Sequence, residues 1–436
     1  MKKVKKRQQL NGNRATPGRQ EDHMSWKKQK LADIQRALNS DPVDIETLRS
    51  AAVSEGGLLT DDVRRKVWPK LLNVNVFALP AKPAKNMREN HKDYNQVLLD
   101  VRRSMRRFPR GMRADERAVL QEQLIDIILD VLRRNPQLHY YQGYHDIVVT
   151  FLLVVGERMA IAMVEKLSNH HLRDFMDPTM DSTKHILNYL MPILEQVDPE
   201  LQDFMLRAEV GTIFALSWLI TWYGHVLSDF RHVLRLYDFF LASHPLMAVY
   251  FAAVRFEGSG WLCLCSLALA GPLSRLAIMH LFLRVQIVLY REREVKSSEC
   301  DMASVHHLLS QIPQDLPYEQ LISHTHKLFT RYPPTQLACS ATLQSRNSIA
   351  ISTFQDFQTS TQQQRPDSIL QQQRQHLHQH RDNRLALAHP HIAQPSGTQQ
   401  LIRMAVWGIS ATLGAAALAV AQTAMDWAPD FLLQLF

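Results

Sequence analysis

Across 436 residues the chain carries only 15 Gly, with 16 Met and 46% hydrophobic residues, a balance that favours a large helical core over a many-turned β architecture. Four Cys in this length exclude a disulfide scaffold. The net charge of +8 is confined to residues 1–30, which hold ten Lys and Arg against two Asp and Glu; the balanced remainder leaves no basic field for nucleic acid.

The basic start, Lys2 to Lys30, has no apolar run behind it and so is no signal peptide; it reads as a solvated, disordered arm. Leu31, Ile34, Leu38, Ile45 and Leu48 recur at helical spacing, predicting an amphipathic helix over Leu31–Ser50. Gly56 and Gly57 break the pattern, and Thr60 with Asp61 caps a helix running into Val67, Leu71 and Leu72. Val76 to Lys85 reads as a loop. From Tyr94 the helical period is sustained: Tyr94, Val97, Leu98, Val101, Met105 and Phe108 form one stripe, and Leu120, Leu124, Ile127, Ile128, Val131 and Leu132 another. No strand-like alternation competes. The fold class expected is all-α, one domain over 31–340.

After Ser340 the composition changes. Residues 341–400 contain 14 Gln with scattered apolar residues, so 341–403 reads as a disordered linker unable to offset its ordering entropy. Met404 to Ala421 then offers eighteen residues without an ionisable side chain. As a helix it is about 27 Å long, enough for a thin bilayer such as that of the endoplasmic reticulum. Arg403 upstream and Asp426 downstream place the N-terminal bulk in the cytosol. The expected arrangement is a tail anchor over 404–421 with a short lumenal tail, 422–436, binding the membrane through its C-terminal helix.

Two clusters invite a chemical reading. His139, His145 and Asp146 supply imidazole and carboxylate of the kind a metal-dependent phosphohydrolase uses. However, His170-His171 and His306-His307 are adjacent pairs that cannot chelate one ion from one helix face, and no H-E-x-x-H, C-x-x-C or phosphate loop is present. No metal site is expected. The second cluster is Arg102, Arg103, Arg106, Arg107 and Arg110. With Val97 and Val101 facing the core, Arg103 lies on the exposed side, one turn after Asp100. Taken alone this is a charged face with local ion pairs; the sharper alternative is an arginine held outward to meet a phosphate with its planar fork.

Three segments read together favour the sharper alternative. Arg64-Arg-Lys-Val-Trp68 gives R-x-x-x-W, Asp100-Val-Arg-Arg103 closes an aliphatic-x-x-D-x-x-R, and Tyr140-Tyr-Gln142-Gly143 gives Y-x-Q-G. In this order they resemble the signature motifs of the TBC domain, the helical module that activates GTP hydrolysis by Rab GTPases, and the likeness continues through Trp218, Trp222 and Arg235-Leu-Tyr-Asp238. With the tail anchor, the chain resembles the membrane-anchored, early-secretory branch of that family. The resemblance implies that Arg103 is an arginine finger and Gln142 a glutamine finger, both supplied in trans to a Rab in its GTP state. It further implies that Asp100 and Tyr140 orient these fingers, and that Arg64, Trp68 and Gly143 serve structure. The chain would then have no complete active site and no cofactor of its own, since GTP and Mg²⁺ belong to the partner. A non-catalytic, membrane-anchored adaptor that binds Rabs is the alternative.

One segment departs from the family pattern. Arg255 to Gln286 interrupts a helical period that otherwise rejoins Tyr250-Phe-Ala-Ala-Val254 to Ile287-Val-Leu-Tyr290. It reads as an atypical insertion of splicing origin, with a lineage-specific loop as the alternative; its apolar run, Trp261 to Ser274, is too short to span a membrane, and Arg275 and Arg284 interrupt the continuation.

Overall fold

The structure, a computed structural model of the chain, describes residues 17–83, 88, 90–104, 108, 111–254, 291–313, 316–338 and 347–388. The insertion at 255–286, the anchor at 404–421 and the tail at 422–436 lie outside the described residues. The chain divides into two compact units, Met1–Leu370 and Gln371–Phe436. Among the described residues every regular element is a helix, and none is long and apolar enough to cross a membrane.

Helices α1 (Pro17–Asn39) and α2 (Ile45–Val53) open the first unit. Two expectations are corrected here. The helix foreseen over Leu31–Ser50 is two helices, parted at Asp41-Pro42, where proline removes a backbone donor. The arm foreseen as disordered over residues 1–30 is helical from Pro17. Composition hid the reason, because Lys30 donates to Ser54 Oγ at 2.9 Å and to the Glu55 carbonyl at 2.7 Å. A cation thus meets a hydroxyl and a carbonyl just past the C-terminal end of α2. Burial, followed by the neighbouring Arg235, lowers the pKa of this ammonium to about 8.

Helix α3 (Asp61–Leu71) is capped by the Thr60 hydroxyl, as its sequence predicts. Helix α4 (Tyr94–Arg103) buries Val97 and Val101 on one face. It stops at Arg103, where the Ser104 amide donates to the Asp100 and Val101 carbonyls; the stripe foreseen through Phe108 is therefore not one helix. Helices α5 (Ala114–Arg134), α6 (Tyr144–Val155) and α7 (Glu157–Asn169) pack against one another. All but two residues of α6 are buried, which makes it a central rather than an amphipathic helix.

Short helices α8 (Asp181–Leu187), α9 (Leu190–Val197), α10 (Pro199–Arg207) and α11 (Leu216–Ile220) follow. Then α12 (Phe230–Leu241) and α13 (Met247–Ala253) contribute the aromatic centre, with Tyr237, Phe239, Phe240 and Phe251 almost fully buried. Beyond residue 290 the unit resumes with α14 (Glu292–Ser297), α15 (Met302–Ser310), α16 (Tyr318–Arg331) and α17 (Pro334–Leu337).

The linker foreseen as disordered over 341–403 is also corrected, because its described part is helical. Helices α18 (Ile349–Ser352) and α19 (Phe354–Thr361) lie on the domain, and α20 (Asp367–Ala388) starts there. The strap formed by 347–367 is fastened at both ends. Asp174 accepts the Ser348 hydroxyl and the Ile349 and Ala350 amides, while Lys70 pairs with Asp367 at 2.7 Å and donates to the Arg365 carbonyl. Between them Phe354 and Phe357 close over His170, His171 and His244, with Phe357 4.3 Å from the His170 ring. The strap also returns Arg49 to Thr361 and Val43 to the Gln364 carbonyl, so it closes the N-terminal helices onto the core. In the second unit Gln371–Ala388 are described, and they continue the helix begun at Asp367.

Candidate functional site

The sequence motifs separate into a buried knot and an exposed rim. In the knot, Arg64 presents its fork to Asp238, with Nε at 3.0 Å and Nη2 at 2.9 Å, while its other nitrogen reaches Asp61 at 2.8 Å. The Trp68 indole donates to the same Asp238 carboxylate at 2.8 Å, and the Leu58 amide does so at 3.0 Å. Asp238 is fully buried, and these charge-assisted donors satisfy it. Gly57 is required beside it, because a Cβ there would stand 2.6 Å from Asp238 Oδ2. Trp68 meets Phe151 edge-on and Tyr237 at 6.2 Å. Arg64 and Trp68 thus lock α3 to α12.

At the rim, Arg103 is the last residue of α4, and its side chain is 62% exposed while that of Asp100 is 1% exposed. Arg103 donates to Asp100 Oδ1 and to the Leu99 carbonyl. Asp100 also accepts Gln96 Nε2 at 3.1 Å and the Tyr140 hydroxyl at 2.9 Å. Burial, with Asp100 beside it, pushes the Tyr140 phenol far above its ordinary range, so the hydroxyl stays a donor. Of the arginine cluster, Arg102 is also exposed, and Arg106, Arg107 and Arg110 lie outside the described residues.

Gln142 is exposed, immediately before the N-terminus of α6. Gly143 makes that turn at φ +110°, and a Cβ on it would meet Thr221 at 3.0 Å, so a larger residue would be both strained and crowded. The Tyr140 hydroxyl brings the arginine segment and the glutamine segment together through Asp100. This bond to Asp100 is the contact Tyr140 makes with the rim.

A second turn, invisible to motif reading, supports the first. The Tyr141 hydroxyl donates to the Ile220 carbonyl at 2.8 Å, and Thr221 packs on Gly143. The next two residues, Trp222 and Tyr223, hold φ of 45° and 62°. Two consecutive bulky residues in the left-handed region cost about 1–3 kcal/mol each. They are held by burial: Trp222 against Tyr237 and Phe240, and Tyr223 through its hydroxyl to the Ala248 carbonyl. The signal in the sequence was only the aromatic density around Trp218 and Trp222.

His139, His145 and Asp146 do not form a chelate. The His139 amide joins the Met176 carbonyl, and His145 Nε2 stands 3.9 Å from Asp146. Asp146 instead faces His225 at 3.2 Å. Among the described residues no group of three or more His, Cys, Asp or Glu converges as metal ligands.

Residues 61–259 match the Rab-GTPase-TBC domain. Human TBC1 domain family member 20 is 60% identical over 416 residues, covering 95% of this chain and 94% of that protein. The chain belongs to the Rab-GTPase-TBC family. TBC1 domain family member 20 of the mouse is 59% identical with the same coverage, and the GTPase-activating protein gyp10 of Schizosaccharomyces pombe is 35% identical over 52% of this chain and 60% of that protein. TBC proteins of this family activate GTPases, acting on a partner GTPase. The Rab-GTPase-TBC match opens at the first residue of α3 and takes in Arg64, Trp68 and Asp238 of the buried knot and Arg103 and Gln142 of the exposed rim.

Proposed function

We propose that this chain accelerates GTP hydrolysis by a Rab GTPase by lending it two side chains, Arg103 and Gln142. The observation that carries the reading is the tether of Tyr140 to Asp100, which presents an exposed arginine and an exposed glutamine from neighbouring elements. A slow GTPase lacks a cation on the β- and γ-phosphates and a rigid group to align the attacking water. The Arg103 guanidinium meets the developing phosphate charge, and the Gln142 amide orients the water. Asp100, buried and shared with Tyr140, holds the guanidinium against the last turn of α4 and lowers the entropy lost on docking. GTP and Mg²⁺ come with the partner in its GTP-bound state, and this chain adds no cofactor.

The same reading places the protein on the endoplasmic reticulum, in the early secretory pathway. Residues 404–421 form a tail anchor, residues 422–436 lie in the lumen, and the helical domain faces the cytosol. The eighteen residues Met404 to Ala421, without an ionisable side chain and flanked by Arg403 upstream and Asp426 downstream, support this. Anchoring confines the activator to Rabs on its own membrane.

The test is single-turnover hydrolysis by a panel of GTP-loaded Rabs with the full-length chain and its Gln142→Ala variant. Acceleration of at least one Rab, falling by about 10²-fold or more in the variant with binding retained, supports the reading. Binding without acceleration across the panel would establish an adaptor instead.

A further inference from the structure

Beside the glutamine turn runs a helical segment that is apolar on both sides. A 3₁₀ turn, Ile213–Ala215, leads directly into α11, Leu216–Ile220. Its inner side, Phe214, Ala215, Trp218 and Leu219, is buried, with Phe214 edge-on to Trp218 and Trp218 beside Tyr223. The segment is held in place, because the 3₁₀ turn packs on α15 and α11 packs on α13. Its outer side carries Ile213, Leu216, Ser217 and Ile220, which recur at spacings of three and four. Ile213 is 52% exposed, and the other three are half-buried.

A helix with one side in water ordinarily carries polar residues there, and one that is apolar all round is ordinarily covered. Here three of the four outer residues are aliphatic. Around them the chain from Val210 to Gly224 holds no Asp, Glu, Lys, Arg or His, although 21% of all residues are charged. Depletion of charge on an aliphatic surface marks the centre of a protein contact rather than a solvated face.

The position of the stripe names its occupant. The Ile220 carbonyl accepts the Tyr141 hydroxyl at 2.8 Å, and the Ile220 side chain lies 3.7 Å from where a Gly143 Cβ would stand. Gln142 stands between those two residues in the chain, so the stripe begins at the glutamine turn and runs from it through Leu216 to Ile213. At the rise of the two helix types Ile213 is about 12 Å from Ile220. That is well inside the footprint of about 800 Å² per partner that a stable protein contact takes.

We propose that Ile213, Leu216 and Ile220 form a docking surface for the partner GTPase, receiving an uncharged, apolar patch of that protein beside its nucleotide. This inference rests on the activator reading above. The stripe supplies binding next to Gln142 without taking part in the chemistry, so its loss weakens capture of the GTPase and leaves turnover of the bound complex alone.

The test is steady-state GTP hydrolysis by the Rab that the full-length chain accelerates best, comparing Ile213→Ala, Ile213→Asp and Ile213→Met with the unsubstituted chain. Ile213 is chosen because a half-exposed side chain can be changed with little effect on the fold. KM should rise about three- to tenfold in Ile213→Ala and more than about tenfold in Ile213→Asp. It should stay within about twofold in Ile213→Met, with kcat and the thermal midpoint unchanged in all three. A KM unmoved by Ile213→Asp would overturn the proposal, as would a loss confined to kcat or a rise in KM that tracks a fall in the midpoint. Sedimentation of the same detergent-solubilised samples separates another occupant: self-association that Ile213→Asp abolishes while KM stays put would assign the stripe to a second copy of this chain. If the unsubstituted chain accelerates no Rab, the activator reading has failed, and the order of the variants in Kd for a GTP-loaded Rab then decides the stripe, whose absence overturns it. If the chain accelerates one and the variants match it, only the stripe has failed.

Discussion

Arg64 and Arg103 share a residue type, a helical setting and an aspartate three residues earlier, yet one is 9% exposed and the other 62%. Arg64 meets Asp61 and, across the core, the buried Asp238; Arg103 meets Asp100 and then solvent. The two regions show that an arginine's role is set by whether a second acid lies beyond it. With Asp238, the guanidinium is saturated and becomes a rivet. Among the described residues Arg103 pairs with Asp100 alone of the acids; on the proposed reading its remaining donors serve a phosphate, and its own carboxylate serves as a rest.

Breaking the knot has the largest expected effect on stability. Asp238→Asn leaves the Arg64 charge buried and under-compensated, and urea denaturation should show a loss of about 3–5 kcal/mol. Next is the strap: Phe357→Ala should cost about 3 kcal/mol by the same measurement, since the ring closes over His170 and His171. A linker would tolerate the change.

Acidification attacks the same seam. Burial, followed by the adjacent His170, lowers the His171 pKa to about 3, and burial lowers His244 to about 4, against 6.5 for a free ring. The unfolded chain therefore takes up protons first. Stability is complete above about pH 6.5 and is lost progressively toward pH 4, by up to about 1.4 kcal/mol per pH unit for each ring. Thermal midpoints measured from pH 7.5 to 4.5 should fall, and a flat profile would contradict the burial of these rings. The smallest effect is expected at the rim, where Tyr140→Phe removes one hydrogen bond to Asp100. It should cost about 1 kcal/mol of stability and less than about tenfold of hydrolysis rate, because both fingers remain.

The all-helical class was legible because the stripes through Val97 and Val101, and through Leu124, Ile128 and Val131, face the core as their period demands. Asp100 was legible as the partner of Arg103 because three residues in a helix is contact distance. Asp238 was not legible as the partner of Arg64, since 174 residues separate them and nothing in a local pattern reports a tertiary pair. The strap was misread for a related reason. Its average composition is that of a linker, and two phenylalanines three residues apart are too few to register as a stripe, although with Ser348 and Lys70 fastening the ends they suffice. Lys30 misled in the same way, because charge counts do not show a carbonyl cluster waiting one helix away. The aromatic density around Trp218 and Trp222 did not reveal the left-handed backbone at Trp222-Tyr223, because that conformation runs against the preference of bulky residues and is imposed by packing.

The most direct test sets the two arginine settings against each other in one protein, with Arg103→Ala measured on both axes. Single-turnover GTP hydrolysis by the responsive Rab should fall by about 10³ to 10⁵ while the urea midpoint stays where the unsubstituted chain has it. Hydrolysis that survives the substitution, or a midpoint that drops as far as that of Asp238→Asn, would contradict the account.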